Sequence, residues 1–423
     1  MLEVTRIRTY KDAIAEALKK RGLDIAQTLD KVIALDDERK AIQTEADAML
    51  HESNELSKQI GELFKSGKRD EATALKARPL ELKEDIQKLK DKSQKVEEQI
   101  RDLLYTLPNS PCDRVPSGTN EEDNEVTFEE GTIPELYDGA QPHWDLANKY
   151  GLIDFELGVK ISGAGFPVYT GKGAKLQRAL IAFFLDEAEK AGFEEVIPPL
   201  MVNEDSGYGT GQLPDKEGQM YHMPVDDLYM IPTAEVPITN LFRDVILKES
   251  DFPIRRSGFT PCFRREAGSY GKDVRGLNRL HQFDKVEIVA VEHPDKSYAM
   301  LDKMVLHVQE LLRKLELPYR VLKLCGGDLG FTAALTFDME VWSAAQKRWL
   351  EVSSISNFET FQANRLKLRY KGEDKKTHLA HTLNGSALAL PRILAALLEN
   401  NQTEAGIKIP AALVPYTRFD LID

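Results

Sequence analysis

Apolar residues recur every seven positions between residues 28 and 104. Leu35, Ile42, Met49, Leu56 and Leu63 hold one register; Val32, Ala46 and Ile60 hold a second, with Arg39 and Ser53 at its polar turns. Beyond KSGKRD, residues 65–70, the spacing resumes at Leu75, Leu82, Leu89, Val96 and Leu103, with Ile86 and Ile100 offset. A seven-residue period marks the seam between packed helices. Ser66-Gly67 reads as a turn, so the two segments most simply form an antiparallel hairpin over about 28–104, each seam covering the other. A coiled coil between two chains is the other common use of heptads. Pro79 removes an amide donor and predicts a kink or a late helix start in the return segment.

Residues 108–124, PNSPCDRVPSGTNEEDN, read as a linker. After it the pattern changes. Short β-rich runs such as LYMIPTAEVPI, EVIPPLMV and KVEIVAVE alternate with helical stretches such as KLQRALIAFFLDEAEKAG. Strands arrive in neighbouring pairs, which predicts a mainly antiparallel sheet with helices packed on it, an α+β domain. The expected division is therefore 1–108 for the helical part and 109–423 for the second domain. No Walker loop and no GxGxxG after a strand is present, so a nucleotide would bind without either cradle.

Composition narrows the function. The chain has 423 residues, 56 Lys and Arg against 69 Asp and Glu, and a net charge of −13. Nucleic-acid contact must then rely on local basic patches, with acidic surface rejecting other partners. One patch lies at the hairpin tip, in Lys65, Lys68, Arg69, Lys76 and Arg78, where a lever could grip a phosphate backbone. Lys19, Lys20 and Arg21 form a second candidate. Cys112, Cys262 and Cys325 offer neither a disulfide framework nor a metal knuckle, so a cytoplasmic setting is expected. No apolar run is long enough to span a membrane, and the first residues lack a secretory signal's apolar core.

The chemistry concentrates in FRREAGSYGKDVRGLNRLHQFDKVEIV, residues 263–289. With 258–266 and 281–290 read as strands joined by GSYGKDVRGLN, Arg264 and Glu266 share one face, and Phe283, Lys285 and Glu287 share another. Arg suits phosphate oxygens, Phe a purine face, and carboxylate an amino group. A salt-bridged structural hairpin is the bland alternative. His281 and His381 read as hydrogen-bonded structural imidazoles, Cys262 as buried filler, and Trp342 and Trp349 as core.

Further blocks give the pattern a family. FRREAGSYGKDVRGLNRLHQFDKVE resembles the second signature motif (258–290) of the class II aminoacyl-tRNA synthetases. HTLNGSALALPRILAALLENNQ, residues 381–402, resembles the third, and KLQRALIAFFLDEAEKAGFEEVIPPLMV, residues 175–202, the first. The TAE of IPTAEVPIT (231–239), PHWDLANKYGLIDFE (142–156), GTGQLP (209–214) and LEVSSISNFETFQANR (350–365) are similar in detail to the seryl-tRNA synthetase family. The resemblance covers essentially the whole chain.

It implies a serine–tRNA ligase that consumes ATP with Mg²⁺, with no zinc. Its partners would be L-serine, ATP and tRNA(Ser), with tRNA(Sec) left open, and it would work as a cytoplasmic homodimer with no membrane association. Arg264 would hold the α-phosphate of ATP, Glu266 the adenine amino group, Phe283 the base, and Arg392 the terminal phosphate. Arg265, Leu280, Val352 and Ser353 would complete the ATP site, with Arg265 facing away from Arg264. Glu351 and Ser354 would carry Mg²⁺. Three residues apart, they need a bulge or a strand end to reach one metal. Thr233, Ala234, Glu235 and Glu287, with Arg264, Asn384 and Ser386, would enclose serine. Pro391 must lie in the first turn of the third motif's helix or kink it. Pro198-Pro199 would lie at the dimer interface. The family places its tRNA-binding arm where the hairpin stands. Two alternatives remain: a synthetase-like ligase that loads a carrier protein, and an inactive paralogue serving as a binding module.

Overall fold

The computed structural model describes residues 1–215, 218–266 and 275–423. The chain divides into two compact units. One comprises Leu2–Leu18 and Leu23–Pro108; the other comprises Met1, Lys19–Gly22 and Asn109–Asp423.

The first unit is helical throughout. Helix α1 (Val4–Lys19) is followed by α2 (Ala26–Lys65), α3 (Arg69–Ala74) and α4 (Ala77–Thr106). Helices α2 and α4 pack on each other within the one chain, so the heptads close as a hairpin. Val32 and Ile42 from one arm and Leu82, Val96 and Ile100 from the other are buried along the seam. The tip turns at Ser66 and Gly67, whose positive φ suits glycine. Pro79 sits in the first turn of α4, the late start that its missing amide favours. One feature of the seam is polar: Asp36 is 4% exposed. Arg8 of α1 reaches it at 2.7 Å, and Arg39 and Lys40 at 2.8 and 2.7 Å. Burial alone would raise its carboxyl, but Lys40, Arg39 and Arg8 hold it well below the usual range.

The second unit is built on an eight-stranded sheet. In chain order the strands are β1 (Glu125–Glu130), β2 (Glu194–Glu195), β3 (Ile254–Phe263), β4 (Gln282–Glu292), β5 (Tyr319–Lys323), β6 (Leu335–Ser343), β7 (Arg348–Asn357) and β8 (His381–Ala389). They lie side by side as β1-β5-β6-β7-β8-β4-β3-β2. All neighbours are antiparallel except the edge pair β2–β3. Helices α5 (His143–Lys149), α6 (Gly171–Lys190), α7 (Ser297–Lys314) and α8 (Leu390–Asn400) bury their apolar faces with the sheet in one extended core. Pro391 falls in the first turn of α8, where no amide is missed.

The strand limits differ from the sequence reading. β3 runs from Ile254 to Phe263, so Arg264 and Glu266 lie beyond its end and strand alternation does not place them. Glu266 has a φ of 48°. Most of the joining segment, 267–274, lies outside the described residues. Lys20 and Arg21 also differ from their expected role. Lys20 donates to the carbonyls of Cys112, Asp113 and Val115, and Arg21 to those of Asn109, Leu329, Gly330 and Ala333. Burial pushes the Arg21 guanidinium down to about 10, still charged at neutral pH. These cations are committed to the fold rather than to phosphate. Trp342 and Trp349 form a cross-strand edge-to-face pair at 5.3 Å, half-buried beside Glu351 instead of in the core.

Candidate active site

The middle of the sheet, the end of β3 and the start of α8 enclose a cavity of about 530 Å³. Arg264, Glu266, Leu280, Phe283, Glu351, Val352, Ser353, Ser354 and Arg392 line one part of it. Thr233, Glu235, Asn384 and Ser386 line another. Residues from five separated stretches of sequence therefore meet at one place. Arg265, Ala234 and the fully buried Glu287 do not line it. The Arg265 side chain lies over the Tyr221 ring at 5.9 Å, and Ala234 packs with Ile238 and Val289 in a small apolar cluster.

In the first part, the Arg264 guanidinium sits 5.2 Å over the Phe283 ring, and its Nε donates to the Pro232 carbonyl at 3.3 Å. An aromatic plate and a fixed cation thus stand side by side. Glu266 is paired with Arg279 at 3.2 Å. Across the cavity Arg392 donates from Nη1 to the Glu351 carbonyl at 2.7 Å and from Nε to the Asn278 carbonyl at 3.2 Å.

The bulge required of β7 is present. Ser354 opposes Asp338 and Ser353 opposes Met339, but Glu351 already opposes Glu340, so Val352 is the extra residue. Asp338 and Glu340 are two apart on a regular strand and share a face. Glu351 and Ser354 therefore share it too. Among the described residues no three His, Cys, Asp or Glu side chains converge as a metal site. Asp338, half-buried opposite Ser354 on the neighbouring strand, nevertheless has a buried Oδ1 with no partner. Burial, then the Glu351 charge, pushes its carboxyl well above the usual range. An orphaned carboxylate oxygen on the same sheet face as two hard oxygen donors, Glu351 and Ser354, fits a small divalent cation that would take its other ligands from phosphate and water.

The second part is a hydrogen-bonded box. Asn384 Nδ2 donates to Glu235 and to Glu287, each at 2.9 Å. Thr233 Oγ1 donates to Glu287 at 3.2 Å. Two residues that the sequence reading left without a role complete it. Lys285 pairs with Glu287 at 2.5 Å, and Gln362 donates to Glu235 at 2.6 Å while accepting from Thr382 at 2.7 Å. Lys285 neutralises one carboxylate, so the box keeps the charge of the other. Burial, followed by the Glu287 charge, raises Glu235 to about 7. The strand alternation of Phe283, Lys285 and Glu287 was the available signal for Lys285; Gln362 comes from a distant helix and gave none.

His281 accepts or donates through Nδ1 to the Tyr221 hydroxyl at 2.8 Å, and His381 to Ser297 at 2.7 Å, as structural imidazoles do. Burial raises the Cys262 thiol, which suits filler and not a nucleophile.

An antiparallel sheet carrying an arginine at a strand end, an aromatic on the next strand, and a glutamate and an arginine from the two following elements defines a class II aminoacyl-tRNA synthetase core. Residues 221–401 match the family described as tRNA synthetase class II core domain (G, H, P, S and T), and residues 1–111 match the seryl-tRNA synthetase N-terminal domain. The chain is 51% identical over 421 residues to the serine–tRNA ligase of Salinibacter ruber, covering 99% of this chain and 98% of the relative. Its structure resembles seryl-tRNA synthetase from Pyrococcus horikoshii complexed with ATP, at 35% identity and a TM-score of 0.91, covering 100% of this chain and 99% of that one. It also resembles the cytoplasmic serine–tRNA ligase of Naegleria fowleri in complex with AMP, at 26% identity and a TM-score of 0.87, with the same coverage. The chain belongs to the seryl-tRNA synthetase family.

Proposed function

We propose that the chain activates L-serine with ATP and transfers it to the 3′-end of tRNA(Ser). The observation that carries this is the charge of the box: two carboxylates, one offset by Lys285, leave a single negative charge for the serine ammonium. Thr233 stands with the two glutamates at the ammonium, and Asn384 and Ser386 finish the pocket near the hydroxyl. A pocket built to bond that hydroxyl loses a polar partner when alanine binds, and threonine must be rejected by its extra methyl, a weaker handle.

In the first step a serine carboxylate oxygen attacks the α-phosphorus of ATP. A P–O bond to serine forms, the bond to the β-phosphate oxygen breaks, and pyrophosphate leaves. Such chemistry needs positioning and charge stabilisation more than covalent help. Arg264 holds the α-phosphate, Phe283 and Leu280 take the adenine, Glu266 meets its amino group, and Arg392 holds the terminal phosphate. Glu351 and Ser354 would hold Mg²⁺, which would supply positive charge to the phosphates when bound. In the second step the terminal ribose 3′-hydroxyl attacks the seryl carbonyl and AMP leaves.

The hairpin is assigned to tRNA, with Lys65, Lys68, Arg69, Lys76 and Arg78 as its contacts, all on exposed positions of the tip. A homodimer is supported by an apolar run outside the sheet's edge, where Ile197 is 88% exposed. We place the activity in the cytoplasm; among the described residues no helix is long and apolar enough to cross a membrane. Neither a carrier-loading ligase nor an inactive paralogue is favoured, because the N-terminal domain match and the site residues are both present.

The test is ATP–pyrophosphate exchange with each of the twenty amino acids, with Mg²⁺ and without tRNA. Exchange with serine alone is expected. Exchange with a different amino acid, or none, overturns the reading. Charging of tRNA(Ser) and tRNA(Sec) then decides the acceptors.

A further inference from the structure

Outside the cavity the structure holds a fully buried ionisable pair that the mechanism above does not use. His143 and Glu399 are both 0% exposed. His143 Nδ1 lies 2.7 Å from Glu399 Oε1, and its Nε2 accepts the backbone N–H of Leu277 at 2.9 Å. An acceptor at Nε2 must carry a lone pair, so the proton sits on Nδ1 and is donated to the carboxylate. Glu399 also accepts from the His143 backbone N–H at 3.0 Å, from Gln346 at 3.1 Å and from Ser343. Burial alone would raise its carboxyl, but the His143 and Ser343 bonds outweigh that and hold it below the usual range. The carboxylate fixes the tautomer, and the tautomer fixes the Leu277 amide.

The next residues are walls of the ATP site. The Asn278 carbonyl accepts Arg392 Nε at 3.2 Å, and Asn278 Nδ2 donates to Gln346 at 3.0 Å, back into the same network. Leu280 is buried against the cavity. Gly276 passes so close that an added Cβ would stand 2.3 Å from His143 Nε2, so the chain is pinned here by direct approach. Glu399 and Arg392 lie on one helix, α8. The network therefore ties the helix that carries the phosphate-binding arginine to the segment whose carbonyl orients it.

We propose that His143, with its tautomer set by Glu399, is a positioning residue for ATP. It holds Leu277–Leu280 so that Asn278 aims Arg392 at the nucleotide, and it has no bond to the serine box. The inference rests on the assignment of Arg392 and Leu280 to ATP.

Two variants separate positioning from bulk packing. In His143→Gln the amide oxygen can take the place of Nε2 and still accept the Leu277 N–H. In His143→Asn the side chain can reach Glu399 but not Leu277. Measured by pyrophosphate exchange, H143N should raise the KM for ATP about tenfold, as expected for a buried amide left unpaired, with the KM for serine within about twofold. H143Q should stay within about threefold of the parent for both. The near-isosteric Glu399→Gln cannot accept every donor around the carboxylate and should behave like H143N; it carries the test should the His143 variants not fold. Equal rises in both KM values, an unchanged ATP KM in H143N and E399Q, or an H143Q no better than H143N each overturn the proposal. Arg392→Ala is the control: an unchanged ATP KM there removes the assignment beneath it, whereas a raised one beside silent His143 variants removes the positioning role alone.

Discussion

In the proposed serine box Glu235 would carry two duties that pull against each other. It must be ionised to receive an ammonium, yet it sits buried beside Glu287, which raises it to about 7. Raised acids lose their charge as the pH falls through that value, so the serine-binding form of the free enzyme is depleted on the acid side. We expect the KM for serine to rise roughly fivefold between about pH 7 and about pH 6, with the KM for ATP not following. A flat serine KM across that range would mean that Lys285 and Gln362 keep Glu235 ionised. Arg264 is tested more simply. It is the only arginine over the Phe283 face among the described residues, and Arg264→Ala should slow serine-dependent exchange by about two to three orders of magnitude, as loss of one preorganised charge donor does. Near-normal exchange would detach it from the phosphate. Asp338 shows where a sequence stops helping: two acids alternating in an apolar strand are visible, but that Asp338 meets Ser354 depends on which strand lies opposite and in what register.

At the scale of elements, periodicity was the most readable signal. Heptads on both sides of Ser66-Gly67 specify a hairpin because the period determines a seam, and the turn determines that the partner is the same chain. Alternation placed Phe283, Lys285 and Glu287 on one face for the same reason. It failed at Arg264 and Glu266, where the strand ends, and it could locate the need for a bulge between Glu351 and Ser354 but not the extra residue, Val352, which only register reveals. It also missed Asp36, an acid in an apolar seam that makes sense once Arg8 is seen above it. Because the folded carboxyl is depressed, its contribution is present above the unfolded value of about 4 and is lost as the pH falls through the folded one. Its partners are a third or more exposed, so we expect Asp36→Asn to loosen the hairpin base by only ~1–2 kcal/mol at neutral pH. Faster hydrogen exchange in α1 and in α2 around Leu29–Ile42 checks this. At the other end of the hairpin, Lys68 is paired with Glu71 and Arg78 with Glu52, both in solvent. Such exposed pairs are weak enough for phosphate to displace. Neutralising Lys68, Arg69, Lys76 and Arg78 together should lower tRNA charging and flatten its salt dependence while sparing exchange. Equal loss in both reactions would remove the arm from tRNA binding.

For the whole molecule, the proposed homodimer needs a physical reason, because the cavity is lined by one chain. The exposed run beside β2 gives a physical reason. Ile197 is 88% exposed, with Met201 at 49% and Leu200 at 36%, large apolar side chains open to solvent within one short segment. The same stretch is bonded to the catalytic sheet. Val196 donates to the Ser257 carbonyl at 2.8 Å, and the Val196 carbonyl would lie 2.8 Å from a Cβ added at Gly258, so it presses directly on β3. β3 ends one residue before Arg264. Covering Ile197 therefore also clamps the outer edge of the strand that delivers the arginine. We expect light scattering to give twice the chain mass for the parent protein and Ile197→Asp to weaken association at least about tenfold, since a charge would be buried without a partner. If the clamp matters, exchange per chain should fall on dilution in step with the dimer fraction, and I197D should reach that loss at higher concentration. A parent protein that stays monomeric at micromolar concentration would remove the dimer. A monomeric I197D with full exchange would keep the dimer but free the active site from it.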